Sequence, residues 1–407
     1  MDAATRTPTR PDWPTRTFAP LYHRLLDRID RGLAEGAIEA YLPDGTRRLL
    51  GGHAAGPLAV VRVVRWRALR RLATAGSIGW YEGWEAGDWS SPDPVPLFDL
   101  FMRNRAALGN VARAKNVARI AARGWHALRR NDRAGARRNI AAHYDLGNDF
   151  YREWLDATLT YSSALDLAPG EPLERAQQRK LDAILARTGA QAGDRVLEIG
   201  CGWGSFAATA AAAAAGVRVH ALTLSTEQRE QVLARRLPGV TVGLTDYRDA
   251  DGMYDAVASI EMVEAVGPEY WPAYLATIAR VLKPGGRAAL QLITIADDVW
   301  DAYAGSADFI QRYVFPGGSL VSASRFRALA AAHGLAWTDE RRFGMDYAET
   351  LLAWRMRFDR AAAERRLPAR FDARFQRLWR YYLMYCEGGF RGGGIDVMQV
   401  TLVKAAD

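Results

Sequence analysis

The chain has 407 residues, 49% of them hydrophobic and 25% charged, which is material for two or three domains with full cores. No run of about 18 uncharged apolar residues occurs, so no membrane-crossing helix is expected. The two cysteines, Cys201 and Cys386, argue against a disulfide framework, and they suit a reducing cytoplasm. The net charge of +8 is uneven: residues 1–140 carry 24 Arg and Lys against 13 Asp and Glu, and the remainder 30 against 33. That asymmetry suggests an anionic surface as partner, a membrane or nucleic acid. An Arg- and Ala-rich composition explains the same charge equally well without a partner.

Residues 1–20 are rich in Thr, Pro and Arg, lack the apolar stretch of a signal peptide, and read as a disordered tail. Residues 21–130 read as a first domain. Leu21, Leu25, Ile29 and Leu33 recur at helical spacing, and Leu58 to Val64 is a β-branched run that predicts a strand. Trp80, Trp84 and Trp89 lie among Gly, Glu and Asp ahead of a Pro-rich stretch, and this region reads as loop. Arg129, Arg130, Arg133, Arg137 and Arg138 end a basic segment that suits a linker or surface arm.

Residues 131–407 read as the second domain. Gly/Asn turns and aromatic residues from His143 to Tyr161 precede a predicted helix, Leu173 to Thr188. Strands then alternate with helices: Arg195–Ile199, Ser205–Ala215, Val217–Thr223, Thr226–Leu237, Val240–Leu244, Tyr254–Ser259, Tyr270–Leu282 and Arg287–Ile295. This alternation predicts an α/β fold with a doubly wound sheet.

Val196-Leu197-Glu198-Ile199-Gly200-Cys201-Gly202-Trp203-Gly204 is a strand entering a glycine loop. Glycines let the backbone approach a ligand, and ligands of such sheets sit beyond the carboxyl ends of the strands. G-x-G alone also occurs in nicotinamide and flavin proteins. Two features favour S-adenosylmethionine: Glu198 precedes the loop, where it can face an ammonium group, and the spacing is G-x-G-x-G. The second strand ends at Thr223, where many nucleotide-binding sheets place a carboxylate.

The ordered segments His143 to Tyr151, Trp154-Leu155-Asp156, Thr160 to Ala164, Gly200 to Phe206, Leu222 to Ser225 with Gln228, Glu261 to Gly267, Phe309 to Gly318, Tyr347 with Thr350 and Trp354, and Trp379 to Phe390 resemble the cyclopropane-fatty-acyl-phospholipid synthase family. The resemblance spans roughly 138–407 and is loose over the first 130 residues, chiefly at Trp80 to Leu97. It implies a Rossmann-like class I methyltransferase sheet with a smaller N-terminal accessory domain that associates with lipid. It implies cofactor contacts by Tyr161, Ser162, Glu198, Gly200, Gly202, Thr223, Leu224 and Gln228, with Asp246 and Tyr247 near the adenine. It further implies a catalytic pocket of Glu264, Tyr347, Ser163 and Gln291, in which members of the family hold a bicarbonate ion, and no metal. This chain departs from the family where Cys is replaced by Ser163, His by Gln291 and a second His by Ala265.

The implied reaction adds a methyl carbon to the cis double bond of an unsaturated phospholipid acyl chain, giving a cyclopropane ring. A methylene or methyl-branched product, or another small hydrophobic alkene as acceptor, is the alternative. A membrane-surface binding protein with a dead site is the non-enzymatic one. Attack by an isolated alkene needs close orientation, exclusion of water and apolar or aromatic walls around a developing cation. Tyr151, Trp154, Tyr161, Phe309, Tyr313, Phe315 and Tyr347 are available for that. Nucleic acid is disfavoured as a partner, because no aromatic-interleaved basic stripe accompanies the glycine loop. A cytoplasmic protein peripheral to the inner membrane is expected, and a homodimer is its expected assembly.

Overall fold

The computed structural model describes residues 13–109, 146–213, 216–305 and 307–406. The basic segment around Arg129–Arg138 and His143 lie outside the described residues. The chain divides into two compact units: Met1–Ala122 with Arg377–Gly394, and Arg123–Gln376 with Ile395–Asp407. The first unit thus includes 377–394, a stretch that the sequence reading grouped with the rest of 131–407.

In the first unit, a helix spans Trp13–Gly32. This helix takes in Trp13 to Pro20, which the sequence placed in a disordered tail. Strands β1 (Ala37–Tyr41), β2 (Arg47–Gly51), β3 (Leu58–Val63) and β4 (Trp89–Ser90) form a sheet in the order β2-β1-β3-β4. Asp44 turns the β1–β2 hairpin by accepting from the Thr46 amide at 3.0 Å. The expected loop at Trp80 and Trp84 is instead part of a helix, Arg67–Glu85, kinked at Gly76. Its glycines serve close approach rather than looping: a Cβ on Gly79 would lie 2.2 Å from the Arg71 carbonyl oxygen. Trp80 stacks on Trp89 at 4.2 Å, and the Trp89 indole donates to the Trp80 carbonyl. Asp88, fully buried, is paired by Arg65, Arg67 and Arg71. The C-terminal part of the helix Ala373–Arg391 completes this unit. Tyr381 meets Tyr81 and Phe98, and Gly388 admits the backbone of Val95 and Asp99.

The second unit is built on β5 (Arg195–Ile199), β6 (Arg218–Thr223), β7 (Val240–Leu244), β8 (Tyr254–Ile260), β9 (Leu282–Ile295), β10 (Val321–Ser322), β11 (Leu335–Arg342) and β12 (Ile395–Lys404). The order is β11-β12-β9-β8-β5-β6-β7, with β10 beside β9. β5 to β9 run parallel; β12 is antiparallel to both of its neighbours, β9 and β11. Alternate residues serve two cores. Leu197, Ile199 and Val257 face helices Trp271–Val281 and Ala323–Ala332, while Val196, Ala256 and Ala258 face Leu173–Thr188 and Ser205–Ala213. Helices thus cover both faces, as a buried parallel sheet requires. Strand order reverses between β5 and β8, so their carboxyl ends frame a crevice. Gly200 stands at one of these ends and Glu261 at the other. None of the described helices is long and apolar enough to cross a membrane.

Candidate active site

The glycine loop leaves β5 with Gly200, Gly202 and Gly204 all at positive φ, which L side chains rarely adopt. A Cβ on Gly200 would come within 2.5 Å of Met262 Cγ, and one on Gly204 within 2.9 Å of Val232 Cγ2. A Cβ on Gly202 would meet nothing within 4 Å, so that face of the loop is open. The Gly200 and Cys201 amides donate to the Leu222 carbonyl at 3.0 and 2.9 Å, tying the loop to the end of β6.

Beyond the loop lies a pocket that opens to solvent. Tyr161, Ser162, Glu198, Gly200, Gly202, Thr223, Leu224, Gln228 and Tyr247 line it, as does Lys180. Asp246 does not line it. Its carboxylate takes Arg248 Nε and Nη2 at 2.8 and 2.6 Å and caps the short turn Tyr247–Asp249. The Thr223 hydroxyl donates to Gln228 Oε1 at 2.7 Å and accepts from the Ser225 amide. The position that other sheets give to a carboxylate is thus filled by a polar pair.

Charge in the pocket is buried. Glu198 Oε2 has no hydrogen-bond partner, and burial pushes its carboxyl up to about 8, with the Lys180 charge opposing. Lys180 is itself fully buried. Burial pulls its ammonium down to about 8, while Glu261, Asp156 and Glu198 act the other way. Gln177 and Lys180, three apart on the helix Leu173–Thr188, hold Ser162 between them: Gln177 Nε2 donates to its carbonyl at 2.8 Å and Lys180 Nζ to its hydroxyl at 2.5 Å. An orphaned buried carboxylate oxygen beside an open glycine face fits a cofactor that carries ammonium and sulfonium charges. S-adenosylmethionine meets that description.

The four residues expected to form the catalytic pocket do not meet around Glu264. Three of them converge on Glu261. Ser163 donates its amide to Glu261 Oε1 at 2.9 Å, Gln291 Nε2 donates to the same oxygen at 2.7 Å, and the Tyr347 hydroxyl donates to Oε2 at 2.7 Å. Ser163 contributes its backbone; its hydroxyl is spent on the Ala164 carbonyl at 2.8 Å. Gln291, fully buried on β9, is oriented in turn by Gln399 Nε2 at 3.1 Å. Glu264 Oε1 accepts the Ile293 amide, and its Oε2 is buried with no partner. Burial, with Glu261 nearby, pushes the Glu264 carboxyl up to about 8. The set does not fit a bound bicarbonate. The donors that would hold the ion are taken by the Glu261 carboxylate, and an added anion would face two carboxyl groups.

An aromatic cluster adjoins the pocket. The helix Gly344–Ala363 puts Tyr347, Thr350 and Trp354 on one buried face. Trp354 meets Tyr161 at 5.4 Å, Trp154 at 5.7 Å and Tyr347 at 6.0 Å, and Tyr151 joins through Tyr161 at 5.6 Å and Trp203 at 5.1 Å. Phe309 and Tyr313 pair with each other. Trp154, Tyr151 and Trp354 are wholly buried, so the cluster is dry.

The model of the mycolic acid cyclopropane synthetase family matches residues 131–400. This chain belongs to that family. Over 362 residues it is 40% identical to the tuberculostearic acid methyltransferase UfaA1 of Mycobacterium tuberculosis, covering 82% of this chain and 81% of that one. Over 355 residues it is 34% identical to the cyclopropane-fatty-acyl-phospholipid synthase of Escherichia coli, covering 86% of this chain and 89% of that one. The crystal structure of mycolic acid cyclopropane synthase CmaA1 complexed with SAH and CTAB superposes with a TM-score of 0.62 at 32% identity, covering 66% of this chain and 98% of that one. As a mycolic acid cyclopropane synthetase family member, the chain is an S-adenosylmethionine-dependent methyltransferase on a Rossmann-like sheet.

Sequence reasoning overlooked three residues of the family member's site: Glu261, Lys180 and Gln399. Glu261 lies in the motif Glu261 to Gly267, where the resemblance points to Glu264 instead. A lysine on an otherwise core-facing helical stripe, between Gln177 and Leu181, was a legible signal for Lys180. Gln399 had none, because its partner is set by the register of β12 on β9.

Proposed function

We propose that this chain transfers the methyl carbon of S-adenosylmethionine to the cis double bond of an unsaturated acyl chain in a membrane phospholipid. The observation that carries this reading is the double placement of Tyr161. It lines the cofactor pocket and also packs against Trp154 and Trp354 in the dry aromatic cluster. A sulfonium carbon held over the glycine loop would therefore face apolar, π-rich walls, which suit an alkene and the cation it becomes.

Each residue group has a task in this reading. The Gly200–Gly204 loop, Thr223, Leu224, Gln228 and Tyr247 seat the nucleoside, and Glu198 answers the ammonium. Lys180 and Gln177 fix Ser162 at the pocket wall. Tyr151, Trp154, Tyr161 and Trp354 exclude water and steady positive charge. Tyr347, Ser163 and Gln291 surround the Glu261 carboxylate, beside which, in this reading, a proton is taken up. We propose a cyclopropane ring as product and the membrane surface as the place of reaction, with the basic N-terminal third attracted to anionic lipid.

A second product reading has an observation of its own. The 40% identical relative is named a fatty acid methyltransferase and not a cyclopropane synthase. A methylene product forms from the same cation when a hydride shifts from the methyl-bearing carbon to the cationic one and the added methyl then loses a proton. Expression in a host rich in oleate and vaccenate, followed by mass spectrometry of its fatty acids, tests both. Ring and methylene share a mass, and hydrogenation separates a terminal methylene from a ring. Unchanged acyl profiles with bound cofactor would reject the proposal as a whole.

A further inference from the structure

We infer that Glu261 is the resident base of this reaction, a carboxylate built into the chain at the place where a bound anion would otherwise be needed. The inference rests on the acyl methylation proposed above.

Geometry sets Glu261 apart from the other acids. It lines the cofactor pocket, as Glu264 does not. Three donors from three separate elements fix its carboxylate: the Ser163 amide, the Gln291 side chain on β9 and the Tyr347 hydroxyl on the helix Gly344–Ala363. Oε1 carries two of these bonds and Oε2 only one, so a lone pair on Oε2 is left to take a proton. Its backbone sits at φ +48°, a left-handed conformation that costs a non-glycine residue of order 1 kcal/mol or more. The fold keeps it there by bonding the Glu261 amide to the Gln291 carbonyl at 2.9 Å. Gln291 thus grips Glu261 at both backbone and side chain.

The charge balance is consistent with this role. Burial pushes the Glu261 carboxyl up, and the bonds from Ser163, Tyr347 and Gln291, together with the Lys180 charge, hold it back toward the anion. The groups facing Lys180 are Glu261, Asp156 and Glu198, so the buried ammonium is shared among acids from three elements.

The step closes in atoms and electrons. The alkene π pair forms a bond to the methyl carbon, and the carbon–sulfur bond breaks with its pair left on sulfur, giving S-adenosylhomocysteine. Glu261 Oε2 then takes one proton from the added methyl group. The freed C–H pair closes the third side of the ring, and a neutral carboxylic acid remains. If a hydride first shifts from the methyl-bearing carbon to the cationic one, loss of a proton from the added methyl to the same oxygen gives the methylene instead.

The test uses the full chain, S-adenosylmethionine and vesicles of oleoyl phosphatidylglycerol in carbonate-free buffer. Release of S-adenosylhomocysteine and methylated acyl product are both measured. Wild type is expected to turn over at the same rate with and without added bicarbonate. Glu261→Gln is expected to lose about a hundredfold or more in turnover while still binding cofactor by calorimetry. Glu261→Gly, which empties the space, is expected to regain activity when bicarbonate is added. A wild-type enzyme that stops when bicarbonate is removed overturns the inference, and this needs no variant to fold. So does a Glu261→Gln enzyme within about twofold of wild type. No turnover by wild type under either condition overturns the acyl reading itself, a different outcome from both.

Discussion

Gln399 on β12 stands directly opposite Gln291 on β9, and its amide donates to Gln291 Oε1 at 3.1 Å. The bond turns the amino end of Gln291 toward Glu261. A residue with no place in the pocket lining thereby sets the direction of one that touches the carboxylate there. Gln399→Leu removes the donor and leaves Gln291 Oε1 unpaired. The expected loss is about 1 kcal/mol, roughly fivefold in kcat, with KM for the cofactor unchanged. Steady-state kinetics on lipid vesicles checks it, and an equal change in both parameters would contradict the orienting role.

Gly200 is closed to any side chain twice over, by its φ of +81° and by Met262 Cγ at 2.5 Å from its would-be Cβ. Gly200→Ala is expected to destabilise the fold by about 1–2 kcal/mol. It is also expected to weaken cofactor binding at least tenfold, as the loop shifts from the pocket. Thermal melting and calorimetric titration with S-adenosylhomocysteine measure the two effects separately.

The Glu198 carboxyl, pushed up to about 8 by burial, is largely protonated at neutral pH in the free protein. Only its anion answers a cationic cofactor. Binding must therefore release a proton below pH 8, and affinity is expected to rise with pH and level off above that point. Glu198→Gln is expected to give a weaker but flat profile. Titration in two buffers of different ionisation enthalpy reports the released proton directly.

Glu264 carries the same kind of shift, from an ordinary 4.5 to about 8. A carboxyl whose folded value lies above its unfolded one contributes stability that is complete below pH 4.5 and disappears as the pH rises to about 8. Glu264→Gln keeps a neutral group in place and removes that decline. Its melting temperature is expected to fall less than wild type between pH 5 and 8. The flattening is partial, because Glu198 and Glu261 stay behind with raised values of their own.

Much of the catalytic sheet was legible in the sequence because its signals are local. The buried run Val196–Ile199 meets a cluster of glycines, and the helix Leu173–Thr188 has the predicted bounds. What escaped depended on distance or on conformation. Glu261 and Glu264 stand three apart in one motif, and nothing local says which faces the pocket; the positive φ of Glu261 decides it. The glycines beside Trp80 and Trp84 suggested a loop, but they are small so that a kinked helix can press on its own backbone. Of the ten expected cofactor residues Asp246 alone is missing from the pocket lining, and Arg248, two positions on, holds its carboxylate. β12 went unread because a terminal apolar run carries no sign that it will be laid between β9 and β11.

The two-part make-up of the smaller unit, Met1–Ala122 with Arg377–Gly394, bears on how the polypeptide matures. During synthesis a leading domain ordinarily folds before the next one emerges. Here the segment up to Ala122 must wait for Arg377–Gly394, with Tyr81, Trp84 and Phe98 lacking Tyr381 until then. β12, an interior strand of the large sheet, emerges later still. Both units therefore reach completion only once the residues beyond Arg377 have been made, and a chain cut ahead of them would complete neither.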